Sequence, residues 1–148
     1  MKPFFPLFID IRGKKVLVIG GGKIAEGRIK ILTDFGAEIT VISPKITRYI
    51  ENTDIHLIKR KYKKGDISKC TPFLVIAATD ERQANHRAMM EAKKLNINIS
   101  VADRKEECSC YFPAIADSDD YIAGLVSKNG NHSGVKKKIK KIRRILNR

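Results

Sequence analysis

The chain has 148 residues, enough for one domain and scarcely for two. Hydrophobic residues make up 43% and charged residues 31%, a balance that excludes a disordered polar chain. Thirty Lys and Arg against sixteen Asp and Glu leave a net charge of +14, which favours an anionic partner or substrate. The longest uninterrupted apolar runs, Val16–Ile19 and Phe73–Ala78, fall far short of the ~20 residues of a membrane span. The start, Met1-Lys2-Pro3-Phe4-Phe5-Pro6, has two prolines and no small-residue cleavage site, so it is not read as a leader. Three cysteines, Cys70, Cys108 and Cys110, are odd in number and read as reduced thiols of a cytoplasmic protein. Cys108-x-Cys110 lacks the spacing and second ligand pair of a zinc site, and no metal site is expected.

Lys15–Ile19 is a β-branched run without alternation, as in a parallel strand buried on both faces. Three glycines follow it. Ile24, Ile29, Ile31, Leu32 and Phe35 then recur at helical spacing until Gly36 stops the helix. Ile39–Ile42 reads as a second strand halted by Ser43-Pro44, followed by a short helix over Ile46–Glu51 and a strand around Ile55–Lys59. Gly65–Lys69 offers one helical turn. Phe73–Ala78 is another buried strand, and Thr79-Asp80 reads as the start signal of a helix over Glu81–Leu95. Asn98–Ala102 is the next strand. The alternation predicts βαβ units and a parallel sheet.

Beyond Asp103 the pattern changes. Arg104–Ser109 is a charged loop, and Tyr111–Ala116, broken by Pro113, and Tyr121–Ser127 are strands with no helix between them. That arrangement predicts an antiparallel extension on the sheet edge, where proline is tolerated. Lys128–Asn131 is a turn, and a basic helix with Val135, Ile139, Ile142 and Leu146 on one stripe closes the chain. The expected fold is α/β, a Rossmann-type domain over residues 1–110 with a strand extension and C-terminal helix over residues 111–148.

Gly20-Gly21-Gly22-x-x-Ala25 lies between a predicted strand and a predicted helix, the context the dinucleotide fingerprint requires. Gly20 permits the tight turn, Gly22 lets the backbone approach a pyrophosphate, and Ala25 keeps helix and strand close. The helix N-terminus at Lys23 and Ile24 offers N–H groups and a positive dipole end to the phosphates. The acid that usually follows the second strand and accepts from the ribose is missing; Ser43-Pro44 stands there. Ser43 suits a ribose hydroxyl, whereas Lys45 or Arg48 suits a 2′-phosphate. The residues alone leave NAD and NADP open.

The start Phe5-Pro6-Leu7-Phe8-Ile9-Asp10, followed by Gly13-Lys14-Lys15-Val16-Leu17-Val18-Ile19 and the glycines, resembles the precorrin-2 dehydrogenase family, which includes the dehydrogenase/ferrochelatase module of siroheme synthase. Ile42-Ser43-Pro44, Ala77-Ala78-Thr79-Asp80, Asn85, Val101-Ala102-Asp103, Phe112-Pro113-Ala114-Ile115 and Val126-Ser127 match in the same order. The resemblance spans about Pro6 to Ser127. It implies NAD as cofactor, and NAD-dependent oxidation of precorrin-2 to sirohydrochlorin in siroheme or cobalamin synthesis, with metal chelation as a second family activity. It implies cofactor contacts at Gly20, Gly21, Gly22, Lys23, Ile24, Ala25, Ser43, Pro44, Ala78, Thr79 and Asp80. Asp103 matches the family's catalytic carboxylate, and Asn85, Ser100 and Ser127 fall at positions near substrate. Outside the resemblance, Asp103 reads as a loop cap, Thr79 and Asp80 as helix caps, Asn85 as a residue holding its loop, and His86 as a surface residue.

Two departures stand out. His132-Ser133 replaces a Ser-Pro pair before the terminal helix, and Ser100 replaces an Asn three residues before the catalytic Asp. The family also continues beyond Arg148 through a dimerisation region, so the C-terminal segment is expected to pair with a second copy. Two rival readings remain. One is a non-catalytic dinucleotide- or tetrapyrrole-binding carrier or sensor, and the other an NADP oxidoreductase on a different substrate.

Val135–Arg148 holds eight basic residues and no acid, and Lys59–Lys64 holds five more. Such runs read first as solvated helix and loop faces. A second reading is a field that speeds capture of a polycarboxylate such as precorrin-2. Nucleic acid is not the expected partner, because no aromatic platform for bases accompanies the charge.

Overall fold

The computed structural model describes residues 4–147. Met1, Lys2 and Pro3 of the stretch read above as no leader, and Arg148 of the basic run, lie outside them. The chain divides into two compact units, one ending at Cys110 and the other beginning at Tyr111.

The first unit is a five-stranded, wholly parallel sheet in the order β3-β2-β1-β4-β5. Its strands are β1 (Lys15–Ile19), β2 (Glu38–Ile42), β3 (His56–Ile58), β4 (Leu74–Ala77) and β5 (Asn98–Val101). Val16, Leu17, Val18 and Ile19 have no exposed surface, as expected of a central strand covered on both faces. Each such side chain contributes roughly 1.5–3 kcal/mol of apolar burial. Register runs from Val16 opposite Ile39 and Leu74 to Ile19 opposite Ile42 and Ala77. The connections carry α1 (Lys23–Asp34), α2 (Arg48–Glu51), α3 (Asp66–Cys70) and α4 (Arg82–Lys94). Gly36 ends α1 at a positive φ, as its position in the sequence implies.

One face of the sheet carries Leu17, Ile19, Val75, Ala77, Ile99 and Val101, covered by Ala88 and Ala92 of α4 and Ile67 of α3. Because α3 is a single turn, the β1–β2–β3 part of that face is left with an open cleft of about 690 Å³. Glu91 of α4 braces the short connection. Its carboxylate accepts from the N–H groups of Gly65 (3.0 Å) and Ser68 (3.1 Å) and from the Tyr62 hydroxyl.

In the second unit β6 (Ala114–Asp117) and β7 (Ile122–Leu125) pair antiparallel, Ala114 opposite Leu125. The strands pair as expected, but they form a two-stranded sheet of their own rather than lengthening the parallel sheet. Pro113, without an N–H, precedes β6 instead of interrupting it. The terminal helix α5 (His132–Leu146) is capped by Asn131, whose side chain accepts from Gly134 N–H (2.8 Å). Ile139 of its apolar stripe is buried, and Arg143 donates to the Ile115 carbonyl (2.8 Å).

Candidate functional site

Strand order reverses at β1: β2 lies on one side of it and β4 on the other. Ligands of open α/β sheets bind at this switch point, beyond the C-terminal ends of the strands. Gly20 follows β1 directly. Its φ is +115°, and its N–H donates to the Ile42 carbonyl (2.9 Å). A Cβ at Gly20 would overlap the Ala78 carbonyl just past β4, so only glycine lets the two strand ends meet so closely. Gly21 has a different neighbour. A Cβ there would overlap the Lys45 carbonyl and crowd Ile46 and Ser43, while the Gly21 carbonyl accepts from Thr47 N–H (3.0 Å). Gly21 therefore packs the turn against the loop after β2, a need the sequence pattern alone did not reveal.

Gly22 is the N-cap of α1. It makes no side-chain cap bond, and nothing lies within 4 Å of where its Cβ would be. The first bond of the helix runs from Glu26 N–H to the Gly22 carbonyl (2.9 Å). Among the described residues nothing accepts from the N–H groups of Lys23 and Ile24. Open space over a glycine, with orphan donors and the positive end of a helix behind it, is the cradle a pyrophosphate fits. Glu26, in the first turn, would oppose an anion. Lys30 (2.8 Å) and Lys23 (3.4 Å) neutralise it, and Lys30 with Thr47 holds its carboxyl down to about 2 despite burial. Ala25 is fully buried against the sheet. Ile24, counted in the sequence among the apolar helix positions, is 57% exposed and lies on the side of the turn rather than in the core.

The Ser43 hydroxyl donates to the Lys45 carbonyl (2.6 Å), and its N–H bonds the Ile58 carbonyl (3.2 Å). The side chain is buried and holds the loop, so its proton is not available to a ribose hydroxyl. Pro44 and Lys45 are exposed beyond it.

On the β4 side, Thr79 and Asp80 do not cap α4; the N-cap is Glu81. The Thr79 side chain is engaged elsewhere. Its hydroxyl accepts from Glu81 N–H (3.2 Å) and stands 2.9 Å from Asn85 Oδ1. Asn85 is fully buried. Its Oδ1 accepts from Thr79 N–H (3.0 Å), and its Nδ2 donates to the Thr79 carbonyl (3.0 Å) and to Asp103 Oδ1 (3.1 Å). With no open surface and its polar atoms engaged, Asn85 ties the loop after β4 to the loop after β5 and does not face a substrate.

Asp103 lies two residues past β5. Its Oδ1 takes Arg82 Nη1 (2.8 Å) as well as Asn85, and no described donor reaches its Oδ2. Arg82 also bonds Glu107, and Glu107 Oε1 lies 3.0 Å from His86 Nδ1. Sequence reasoning placed Glu107 in a charged loop, His86 on the surface and Arg82 in the helix over Glu81–Leu95 with no role assigned. Partners 21 and 25 residues apart leave no local signal. Ser100 is buried, with Arg28 Nη1 3.3 Å from its hydroxyl. Ser127 belongs to the second unit, where its Oγ accepts from the N–H groups of Asn129 (3.2 Å) and Asn131 (2.8 Å). Among the described residues no cluster of three or more His, Cys, Asp or Glu could hold a metal ion, and no helix is long and apolar enough to cross a membrane.

A family profile described as "Putative NAD(P)-binding" matches residues 7–114. The chain is 49% identical over 146 residues to a protein of Ruminiclostridium josui named "Probable multifunctional siroheme biosynthesis protein HemA", covering 95% of this chain and 28% of that protein. It is 36% identical over 128 residues to a siroheme synthase of Pseudomonas fluorescens strain SBW25, covering 84% and 27% respectively. The chain thus spans less than a third of these curated relatives. A solved structure titled "SirC, precorrin-2 dehydrogenase" superposes with a TM-score of 0.75 at 22% identity, over 94% of this chain and 69% of that one, and shares its fold.

Proposed function

Because the chain belongs to the NAD(P)-binding family that matches its residues 7–114, we propose that it oxidises precorrin-2 to sirohydrochlorin in siroheme or cobalamin synthesis, with NAD⁺ as oxidant. The observation that carries this reading is the Asp103 carboxylate, held by one oxygen and open at the other, at the C-terminal end of the sheet that bears the glycine turn. The similarity to siroheme biosynthesis proteins supports the choice of substrate.

Loss of two hydrogens from the macrocycle divides into a hydride and a proton. When bound, the nicotinamide dinucleotide supplies the hydride acceptor. The chain's residues do the rest. Gly22 and the N–H groups of Lys23 and Ile24 would hold the pyrophosphate, and Gly20, by letting the β1 end meet Ala78 and Thr79, would bring that loop to the same site. Asp103 Oδ2 takes the proton as a general base. The family resemblance supports NAD rather than NADP, and the exposed Lys45 and Arg48 are the groups that would favour NADP instead. The positive field suits a polycarboxylate substrate.

The second unit supports a homodimer. A two-stranded sheet with one helix is marginal by itself, and this one exposes Tyr121, Ile122, Val126 and Ile145. Sedimentation equilibrium reads the stoichiometry. The unpaired Cys70, Cys108 and Cys110 fit a reducing, cytoplasmic setting.

The deciding experiment supplies precorrin-2 with NAD⁺ or NADP⁺ and follows sirohydrochlorin absorbance. Turnover with NAD⁺ is expected, falling by about 10²–10⁴ in Asp103→Asn, the usual worth of general base catalysis. Affinity for NAD⁺ and melting temperature should hardly change, since an amide keeps the bonds that Arg82 and Asn85 make. Binding of precorrin-2 without turnover would select a carrier, and preference for NADP⁺ would overturn the cofactor. Normal turnover of Asp103→Asn would remove the base.

A further inference from the structure

Arg82 stands between two carboxylates. One arm, Nη1, meets Asp103 Oδ1 at 2.8 Å, and the other, Nη2, bonds Glu107 Oε2. A guanidinium facing one carboxylate alone prefers a two-armed fork, with one N–H on each oxygen. On Asp103 that fork would close over Oδ2, the oxygen no described donor now reaches. In the structure the second arm goes to Glu107 instead. Glu107 is itself fixed, its other oxygen 3.0 Å from His86 Nδ1 and its side chain only 20% exposed. Burial alone would push its carboxyl up, but the bonds from Arg82 and His86 prevail and hold it below the usual range. It therefore keeps the charge with which it draws Arg82 aside.

We propose that Glu107 is a positioning residue for Asp103, acting through Arg82: it keeps one guanidinium arm off Asp103 and so leaves the Oδ2 oxygen open to the substrate proton. The inference rests on the reading of Asp103 as the base. Asn85 completes the arrangement by adding its amide to the oxygen Arg82 already holds. Both donors thus converge on Oδ1, and the carboxylate is anchored without being blocked.

The test is Glu107→Gln in the full chain, a change that preserves size and removes charge. A crystal structure should show Arg82 forked onto both oxygens of Asp103. Turnover of precorrin-2 should fall about ten- to a hundredfold in kcat, less than the about 10²–10⁴ expected when the base itself is removed, with KM for NAD⁺ unchanged. Glu107→Asp keeps the charge and should restore most of the turnover. In an Arg82→Met background the Glu107→Gln change should have no further effect, because the arm it controls is gone. The proposal is overturned if Glu107→Gln turns over like the parent. It is also overturned if Glu107→Gln slows the Arg82→Met variant as much as it slows the parent, since Glu107 would then act only on the loop. If the parent itself does not oxidise precorrin-2, the reading of function fails separately. The crystal structure still decides here: a fork on Asp103 supports the proposal, and a single-armed contact overturns it.

Discussion

Gly20→Ala would force a methyl group into the Ala78 carbonyl at a φ of +115° that alanine avoids. The expected loss is about 3 kcal/mol or more, read as a fall in the urea midpoint. Gly22→Asp, two residues on, should do the reverse. Its Cβ meets open space, and aspartate is a good N-cap where glycine makes no cap bond, so stability should hold or rise by a few tenths of a kcal/mol. Its charge would sit where the pyrophosphate is expected, and calorimetry should find no NAD⁺ binding. Equal affinity in mutant and parent would remove the assignment. Both roles were legible because a glycine turn between strand and helix is a local pattern. The role of Gly21 was not, since its partners arrive from the loop around Lys45. Asn85 was legible only as a match, because its bonds join Thr79 and Asp103, 6 and 18 residues away.

At the scale of elements, α1 carries both the cradle and its own neutralising pair. Lys30 first, then Thr47, lower the Glu26 carboxyl from 4.5 to about 2 against the pull of burial. A carboxyl with a depressed folded pKa adds stability that is complete above its unfolded value and disappears as pH falls through the folded one. The Glu26→Gln variant should therefore melt below the parent by a constant margin above about pH 5, and that margin should shrink as pH falls through about 2 and be gone by about pH 1. Thermal melts across that window check it; a margin that stays at its full size down to about pH 1 would mean Glu26 stabilises α1 by packing instead. Strand and helix positions were readable from apolar runs of period suited to each, from Val16–Ile19 to the α5 stripe. The start of α4 was read to within a residue, but its cap was misassigned because Thr79 resembles a cap in sequence while its side chain is claimed by Asn85 and Glu81. The separate sheet of β6 and β7 was missed for a similar reason: sequence shows that two strands are adjacent but not which edge they adopt.

For the whole molecule the charge of +14 is the dominant fact. If it speeds capture of a polycarboxylate, salt should screen the capture and leave the chemistry alone. Between low ionic strength and about 0.5 M, kcat/KM for precorrin-2 should fall about tenfold while kcat holds. A flat kcat/KM would make the basic face of α5 a solvated surface and nothing more. Net charge was fully legible from composition. The use of that charge was not, because a count of lysines carries no information about which surface meets the substrate.

The single turn of α3 gives the sheet one thick flank and one thin one. Among the described residues β3 pairs with β2 alone, through three residues, and borders the open cleft, whereas Val16–Ile19 of β1 lie between two neighbours with no exposed surface. Local opening should begin at the thin flank, so amide hydrogens of His56–Ile58 trade with solvent long before those of Val16–Ile19, which need global unfolding. Cys70 lines the same cleft, with its thiol pushed up by burial and thus sluggish at rest. Its alkylation would report that opening from a place well clear of the glycine turn.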